Sequence, residues 1–212
     1  MPPLRRSALH HRLVAAGGRS APFESWDRVE SLGDPGGEAH AVRTGVALAD
    51  LSAGFLLLAQ GDRLDDWLPA RPLVGWLARV NGGVCCRLTE DSALLITCRP
   101  IDLQPPVNTC GHLTDLTSGR AVVAVAGPDS RALLGAVTQL DLRPGVFPDG
   151  RCAQATVAQV AATLLRRDRQ GVPAFEILVA RDLGEYLWDV LLDAGAPLQA
   201  RPVGAAALER GD

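Results

Sequence analysis

An internal echo limits what this chain can fold into. Asp50-Leu51-Ser52-Ala53-Gly54 opens an apolar stretch, Phe55 to Ala59, which ends at Gly61-Asp62 and runs into a helix-like segment carrying Leu64, Trp67 and Leu68. Further on, Asp115-Leu116-Thr117-Ser118-Gly119 opens Ala121 to Ala126, which ends at Gly127-Pro128-Asp129 and runs into a segment carrying Leu133, Leu134 and Val137. Pro128 suits a first helical turn and Asp129 the positive helix end. Each unit is followed by a strand, a turn and a strand: Val84 to Leu88 with Ala93 to Thr97, and Thr156 to Leu165 with Ala174 to Val179. The breaks fall at Thr89-Glu90-Asp91-Ser92 and at Asp168-Arg169-Gln170-Gly171, where polar and glycine residues interrupt β-branched and leucine-rich runs. A last helix is expected where Leu183, Leu187, Val190 and Leu191 share a face, with Asp182 and Glu185 as a capping pair and Gly195 as its stop. Two fused strand-helix-strand-strand subdomains predict an α+β fold with mixed, mainly antiparallel sheets. The seam is expected at Pro105-Pro106, which divides one unit into halves 1–107 and 108–212.

Composition removes several function classes. The 212 residues carry a net charge of −3 with no arginine cluster longer than two residues before a break, which is not the basic face that phosphates require. Nucleic acid is therefore not an expected partner. Every basic residue other than histidine is arginine, so lysine Schiff-base and general-base chemistry is excluded. No apolar run approaches the roughly 20 residues of a membrane span, and Pro2, Pro3, Arg5 and Arg6 are not followed by a signal-like core. A cytoplasmic protein off the membrane is expected. Cys85, Cys86, Cys98, Cys110 and Cys152 are odd in number, lie in or beside apolar stretches and read as reduced, mostly buried thiols. The Cys85-Cys86 pair lacks a second pair or a nearby histidine to complete a tetrahedral set, and no metal site is expected.

Several segments in order carry a family resemblance. Leu9-His10, Phe23-Glu24-Ser25-Trp26 and the run from His40 through Gly45-Val46-Ala47-Leu48 to Asp50-Leu51-Ser52 resemble the opening of the glycine-cleavage T-protein, an aminomethyltransferase. The second half resembles the gamma subunit of heterotetrameric sarcosine oxidase through Thr114 to Arg120, Gly127-Pro128, Leu140-Asp141-Leu142, Phe147-Pro148, Gly150 to Gln154 and Tyr186-Leu187-Trp188. The resemblance implies subdomains around a central opening that receives a pterin, with tetrahydrofolate as cofactor and, for the gamma-like kind, a protein partner such as flavin oxidase subunits. It also implies two departures. T-proteins carry an acid just after a glycine pair, whereas Asn81-Gly82-Gly83-Val84 is followed here by Cys85-Cys86-Arg87, and the chain stops before the C-terminal barrel of full-length T-proteins. A folate-binding-type subunit without catalysis of its own is expected, working in oxidative or one-carbon metabolism of N-methyl or aminomethyl compounds. The alternative is a free-standing tetrahydrofolate-dependent aminomethyl or methyl transferase.

The same resemblance implies cofactor-binding roles for Glu176, Arg166 and Asn81. Phe175-Glu176-Ile177 falls where folate-binding relatives place a Gly-Phe-Glu segment whose carboxylate accepts from pterin N–H groups. Arg166 stands where they carry an arginine before a glycine-rich turn, replaced here by Arg167 to Pro173. From the residues alone, Glu176 between apolar neighbours is equally an outward-facing strand residue, and Arg166 and Arg167 equally end a strand in solvent. No residue is assigned as catalytic; Cys85, Cys86 and Asp91 are the candidates that could replace the missing acid.

Overall fold

The computed structural model describes residues 3–169 and 171–209; Pro2 and Gln170, named above, lie outside the described residues. Helix α1 (His10–Ala15), a hairpin of β1 (Arg19–Phe23) and β2 (Trp26–Ser31), and helix α2 (Pro35–Thr44) precede the repeated part. The first passage runs through β3 (Ala47–Asp50), β4 (Phe55–Gln60), β5 (Leu77–Val80), β6 (Gly83–Thr89) and β7 (Ser92–Thr97). The second runs through β8 (His112–Asp115), β9 (Arg120–Ala126), α3 (Ser130–Gly135), β10 (Cys152–Val157), β11 (Val160–Arg166), β12 (Ala174–Ala180), α4 (Gly184–Gly195), β13 (Arg201–Pro202) and α5 (Ala206–Glu209).

The echo in the sequence is an exchange of strands. The first sheet has the order β5-β6-β7-β4-β8 and the second β10-β11-β12-β9-β3-β13, so each passage lends its opening strand to the other's sheet. All pairings are antiparallel except β13 with β3, which fits an α+β fold of mainly antiparallel sheets. At the crossings, the Asp50 carboxylate accepts from the Ser52 amide at 3.0 Å and the Asp115 carboxylate from the Thr117 amide at 2.8 Å. Each hydroxyl then caps the opposite strand: Ser52 Oγ accepts from the Val122 amide at 3.0 Å, and Thr117 Oγ1 from the Leu56 amide at 3.2 Å. The short side chains thus satisfy backbone donors that the change of sheet would otherwise leave buried and unpaired. The strand ends match too. Gly61 (φ +127°) and Gly127 (φ +126°) sit where a Cβ would lie 2.5 Å from the Cys110 carbonyl oxygen and 2.1 Å from that of Gly45, so both positions require glycine.

The two sheets face each other across a core of Leu56, Val84, Cys86 and Leu94 from the first and Val122, Cys152, Leu165 and Leu178 from the second. Hydrogen bonds from Leu77 N to Gly150 O (2.7 Å) and from Cys152 N to Gly75 O (2.9 Å) stitch the β5 and β10 edges together. Behind the second sheet, Leu133, Leu134, Leu187, Trp188 and Leu191 pack on Val123, Val125, Phe175, Ile177 and Val179. Alternation along β12 therefore turns Phe175, Ile177 and Val179 to these helices and Ala174, Glu176 and Leu178 to the opposite face, where Leu178 meets the other sheet and Ala174 packs with Val42 of α2 and Leu208 of α5.

Three local expectations are corrected. The helix expected around Leu64 to Leu68 is a single 3₁₀ turn, Leu64–Asp66, that ends at Trp67 (φ −135°), and Pro69 disfavours helical backbone at the next residue, Leu68. The strand expected from Thr156 to Leu165 is a hairpin whose two turn residues, Ala158 (φ 50°) and Gln159 (φ 63°), are left-handed without glycine or asparagine to announce it. Asp182 and Glu185 do not cap α4: a 3₁₀ turn, Arg181–Leu183, precedes it and its N-terminal residue makes no side-chain cap. The helix does end at Gly195, as expected, without a left-handed turn there; a Cβ at this position would lie 2.4 Å from Ala200 Cβ and 2.7 Å from Leu133 Cδ1.

Candidate functional site

Between the sheets, at the end where the chain crosses over, lies a cavity of about 530 Å³, within the range of small-molecule sites. Leu51, Ala53 and Gly54 of the first crossing form one side, and Gly82, Gly83, Val84, Ile96 and Thr97 of the β5–β6 turn and the β6–β7 ends form another. Val122 and Glu176 come from the second sheet, Arg167, Asp168 and Arg169 from the turn after β11, and Phe23 and Glu209 from the flanking hairpin and α5. Gly83 is needed for this wall, since a Cβ there would lie 2.0 Å from the Ile96 carbonyl oxygen.

Glu176 is 2% exposed on a central strand, paired with Ala124 on one side and Leu165 on the other. Arg169 Nη2 donates to Glu176 Oε1 at 2.6 Å, and Arg167 Nη2 stands 3.0 Å from the same oxygen. Burial alone would push this carboxyl up, but the fields of Arg167 and Arg169 and the hydrogen bond from Arg169 outweigh it and hold its pKa below the ordinary value. Glu176 is thus an ionised buried carboxylate on the cavity wall, not an outward-facing strand residue. Arg169 is itself 7% exposed, and its Nε has no hydrogen-bond partner.

The other two residues expected with Glu176 stand apart from it. Arg166 pairs with Phe175 across the β11–β12 ladder and so points to the helix side of the sheet. There it is saturated by the Asp168 carboxylate, at 2.9 and 2.8 Å, and by the Phe147 carbonyl at 2.7 Å. Asn81 is exposed in the β5–β6 turn; its neighbours Gly82 and Gly83, not Asn81, line the cavity. Arg167 and Arg169, one and three residues beyond Arg166, are the guanidinium groups that reach the carboxylate. The register sets Arg166 opposite Phe175 and Arg167 beside Ala174, on the face that Glu176 shares.

The candidates for the missing acid lie elsewhere. Asp91 is exposed in the β6–β7 turn, accepting from Thr89 Oγ1 at 2.6 Å; β7 separates it from the cavity end by roughly 17 Å at the usual strand rise. Cys85 and Cys86, both 0% exposed, face opposite sides of β6: Cys86 lies in the core between the sheets, Cys85 in the core on the outer face. Burial pushes Cys85 up to about 11 against the pull of Arg87, and pushes Cys86 up as well, with the adjoining Cys152 thiol adding to it. Among the described residues no cluster of His, Cys, Asp and Glu is placed to hold a metal ion.

Two outcomes follow for the thiols. Iodoacetamide at about pH 8 should modify exposed Cys110 in the folded protein and spare Cys85 and Cys86, because the thiolate is the nucleophile; mass spectrometry showing Cys85 or Cys86 labelled as fast as Cys110 would restore them as reactive groups. Folding keeps the Cys85 proton where the unfolded thiol has lost it, so its contribution to stability is complete below pH 9.0 and falls as pH rises toward about 11. Denaturant titrations across that range measure the slope.

Residues 83–210 match the family model described as the GCVT N-terminal domain. The chain belongs to that family. This GCVT N-terminal domain is 28% identical over 218 residues to an aminomethyltransferase of Picosynechococcus sp., covering 91% of this chain and 59% of that protein. It is 26% identical over 225 residues to an aminomethyltransferase of Streptomyces coelicolor, covering 95% and 60%. The domain thus spans about 60% of the length of the curated relatives it matches. Its fold is that of the glycine cleavage system aminomethyltransferase T from Bartonella henselae, with a TM-score of 0.74 at 18% identity over 96% of this chain and 60% of that one. It is also that of a chain of the heterotetrameric sarcosine oxidase from Corynebacterium sp. U-96 in complex with pyrrole 2-carboxylate, with a TM-score of 0.66 at 20% identity over 92% of this chain and 97% of that one. The resemblance read from the sequence is met on both sides.

Proposed function

We propose that this chain is a tetrahydrofolate-binding subunit that acts with a protein partner, of the flavin oxidase kind, in oxidative or one-carbon metabolism of N-methyl or aminomethyl compounds, and that it catalyses no transfer by itself. The observation that carries the reading is Glu176, an ionised carboxylate 2% exposed on the wall of the inter-sheet cavity. A pterin edge offers adjacent N–H donors, and a carboxylate is the side chain that accepts two at once. Bound tetrahydrofolate would supply the amine nitrogens that carry a one-carbon unit. Gly82 and Gly83 let the ligand approach the backbone, and Leu51 of the crossing and Val122 of β9 offer it apolar contact.

The cavity's charges leave no group free for catalysis. Its three carboxylates are all engaged: Asp168 with Arg166, Glu176 with Arg167 and Arg169, and Glu209 with Arg28. After the glycine pair, Val84 lines the wall where an acid would stabilise a charged amine. Lacking one preorganised electrostatic group costs about a hundred- to a thousand-fold in rate. Among the described residues no helix is long and apolar enough to cross a membrane, and we place the subunit in the cytoplasm.

Calorimetric titration with tetrahydrofolate tests the reading. Binding heat is expected, with no transfer of a one-carbon unit from an aminomethyl donor, and flavin oxidase subunits encoded beside it should co-purify. Turnover that survives Asp91→Ala would make the chain a free-standing tetrahydrofolate-dependent transferase, and the absence of heat would reduce it to a scaffold.

A further inference from the structure

We propose that Arg169 is an internal competitor for the ligand: its guanidinium occupies Glu176 in the empty site, must leave when a ligand enters, and thereby sets which ligands the site accepts. This rests on the reading that Glu176 receives the donor edge of a pterin. The 2-amino-pyrimidinone edge of a pterin contains a guanidine unit, an sp² carbon bearing N–H groups in one plane. An arginine side chain ends in the same unit. Glu176 Oε1 already holds Arg169 Nη2 at 2.6 Å, so the protein fills the position with a mimic of the group it would read. Only a ligand that replaces those donors and adds contact with the apolar crossing residues can displace it.

Two further observations support displacement over a fixed ion pair. Arg169 is half satisfied: its Nε is buried without a hydrogen-bond partner, a state that costs free energy and lowers the barrier to leaving. It also has somewhere to go. A second cavity of about 230 Å³ lies between α2 and α5, and Arg169 lines both cavities and so forms part of the wall between them. Glu30 and Glu38 line the second cavity; Glu30 is paired with Arg28, and Glu38 accepts from Ser31 Oγ and the Leu32 and Gly204 amides, so a guanidinium swung out of the first cavity would share their remaining lone pairs. Arg167, 27% exposed at its side chain, stays at 3.0 Å and keeps Glu176 ionised in the open state.

The experiment compares tetrahydrofolate affinities by calorimetry in four forms of the 212-residue chain: wild type, Arg169→Met, Ala207→Met and the double variant. If Arg169 releases Glu176 in about one molecule in ten, the apparent dissociation constant carries a tenfold penalty that Arg169→Met removes. Tetrahydrofolate should therefore bind Arg169→Met about tenfold more tightly. Ala207 lines the second cavity, so Ala207→Met fills the space Arg169 must enter; it should weaken binding with Arg169 present and change nothing in the Arg169→Met background. Arg169→Lys, which keeps charge without the planar fork, serves if the methionine variant fails to fold and should also bind more tightly. Equal affinities for wild type and both Arg169 variants would overturn the competitor while leaving folate binding intact. No binding by wild type or variants would overturn the folate reading and the competitor together.

Discussion

A fragment of residues 108–212 should unfold without a cooperative transition, while the whole chain unfolds sharply. The reason is the strand exchange. The fragment keeps β9 to β12 but loses β3, which lies between β9 and β13 and is the partner of β13 among the described residues. It keeps β8 but loses β4, on which β8 pairs. One face of its sheet would also present Val122, Leu165 and Leu178 to water, because Leu56, Val84 and Leu94 no longer cover them. At about 1.5–3 kcal/mol for each large apolar side chain, that loss is of the order of a domain's whole net stability, about 5–15 kcal/mol. Circular dichroism against urea should show a broad, shallow change and the fragment should bind a hydrophobic dye. A transition as steep as that of the intact chain would show that the second half folds alone and that the exchange is decorative.

The exchange also marks where sequence reading reaches its limit. Asp50-Leu51-Ser52 and Asp115-Leu116-Thr117 are visible as a repeat, and β4, β6, β7, β9 and β12 begin and end within a residue of the expected bounds, because alternation and turn residues are local signals. That β3 and β8 trade sheets was not visible, since pairing partners distant in the chain leave no trace in either segment alone. The same holds for the hairpin at Ala158-Gln159, where tertiary contacts impose left-handed backbone on residues that do not seek it, and for the turn at Leu64–Asp66, where Pro69 overrules an otherwise helical pattern. Gly195 marks the helix end in the sequence and in the fold, but the close approach of Ala200 and Leu133, which the sequence does not show, is what requires glycine there.

For the site, the residue type was legible and its surroundings were not. A charged residue between Phe175 and Ile177 in a strand admits either an exposed or a buried carboxylate, and the choice depends on what stands across the sheet. The guanidiniums that decide it, Arg167 and Arg169, lie in a turn whose altered composition could be read only as a departure from a glycine-rich loop. Position in the chain points to Arg166, but the ladder pairs it with Phe175 and so turns it away from the cavity. One residue of offset along a strand is the difference between the cavity wall and the helix-packed face.

Glu176 is the position where substitution should do most, and its two replacements should separate stability from recognition. Glu176→Leu leaves Arg169, 7% exposed, and Arg167 facing each other without a counter-ion, and breaking a buried pair from one side costs about 3–5 kcal/mol. Glu176→Gln keeps the shape and one acceptor oxygen, so the fold should survive, but its amide would point a donor at a donor. Hydrogen bonds to charged groups contribute about 1.5–3 kcal/mol, so tetrahydrofolate should bind the glutamine variant about ten- to a hundred-fold more weakly. The stability difference should depend on pH in a definite direction. Because the folded pKa of Glu176 lies below its ordinary value of 4.5, its contribution is complete above that pH and is lost as pH falls through the folded value, so wild type and Glu176→Gln should converge in acid. Urea titrations from neutral pH downward follow that convergence, and calorimetry at neutral pH reads the affinity. Equal affinities would remove Glu176 from the ligand's contacts, and a stability gap that stays constant into strong acid would mean that the carboxylate's charge does not hold the two arginines in place.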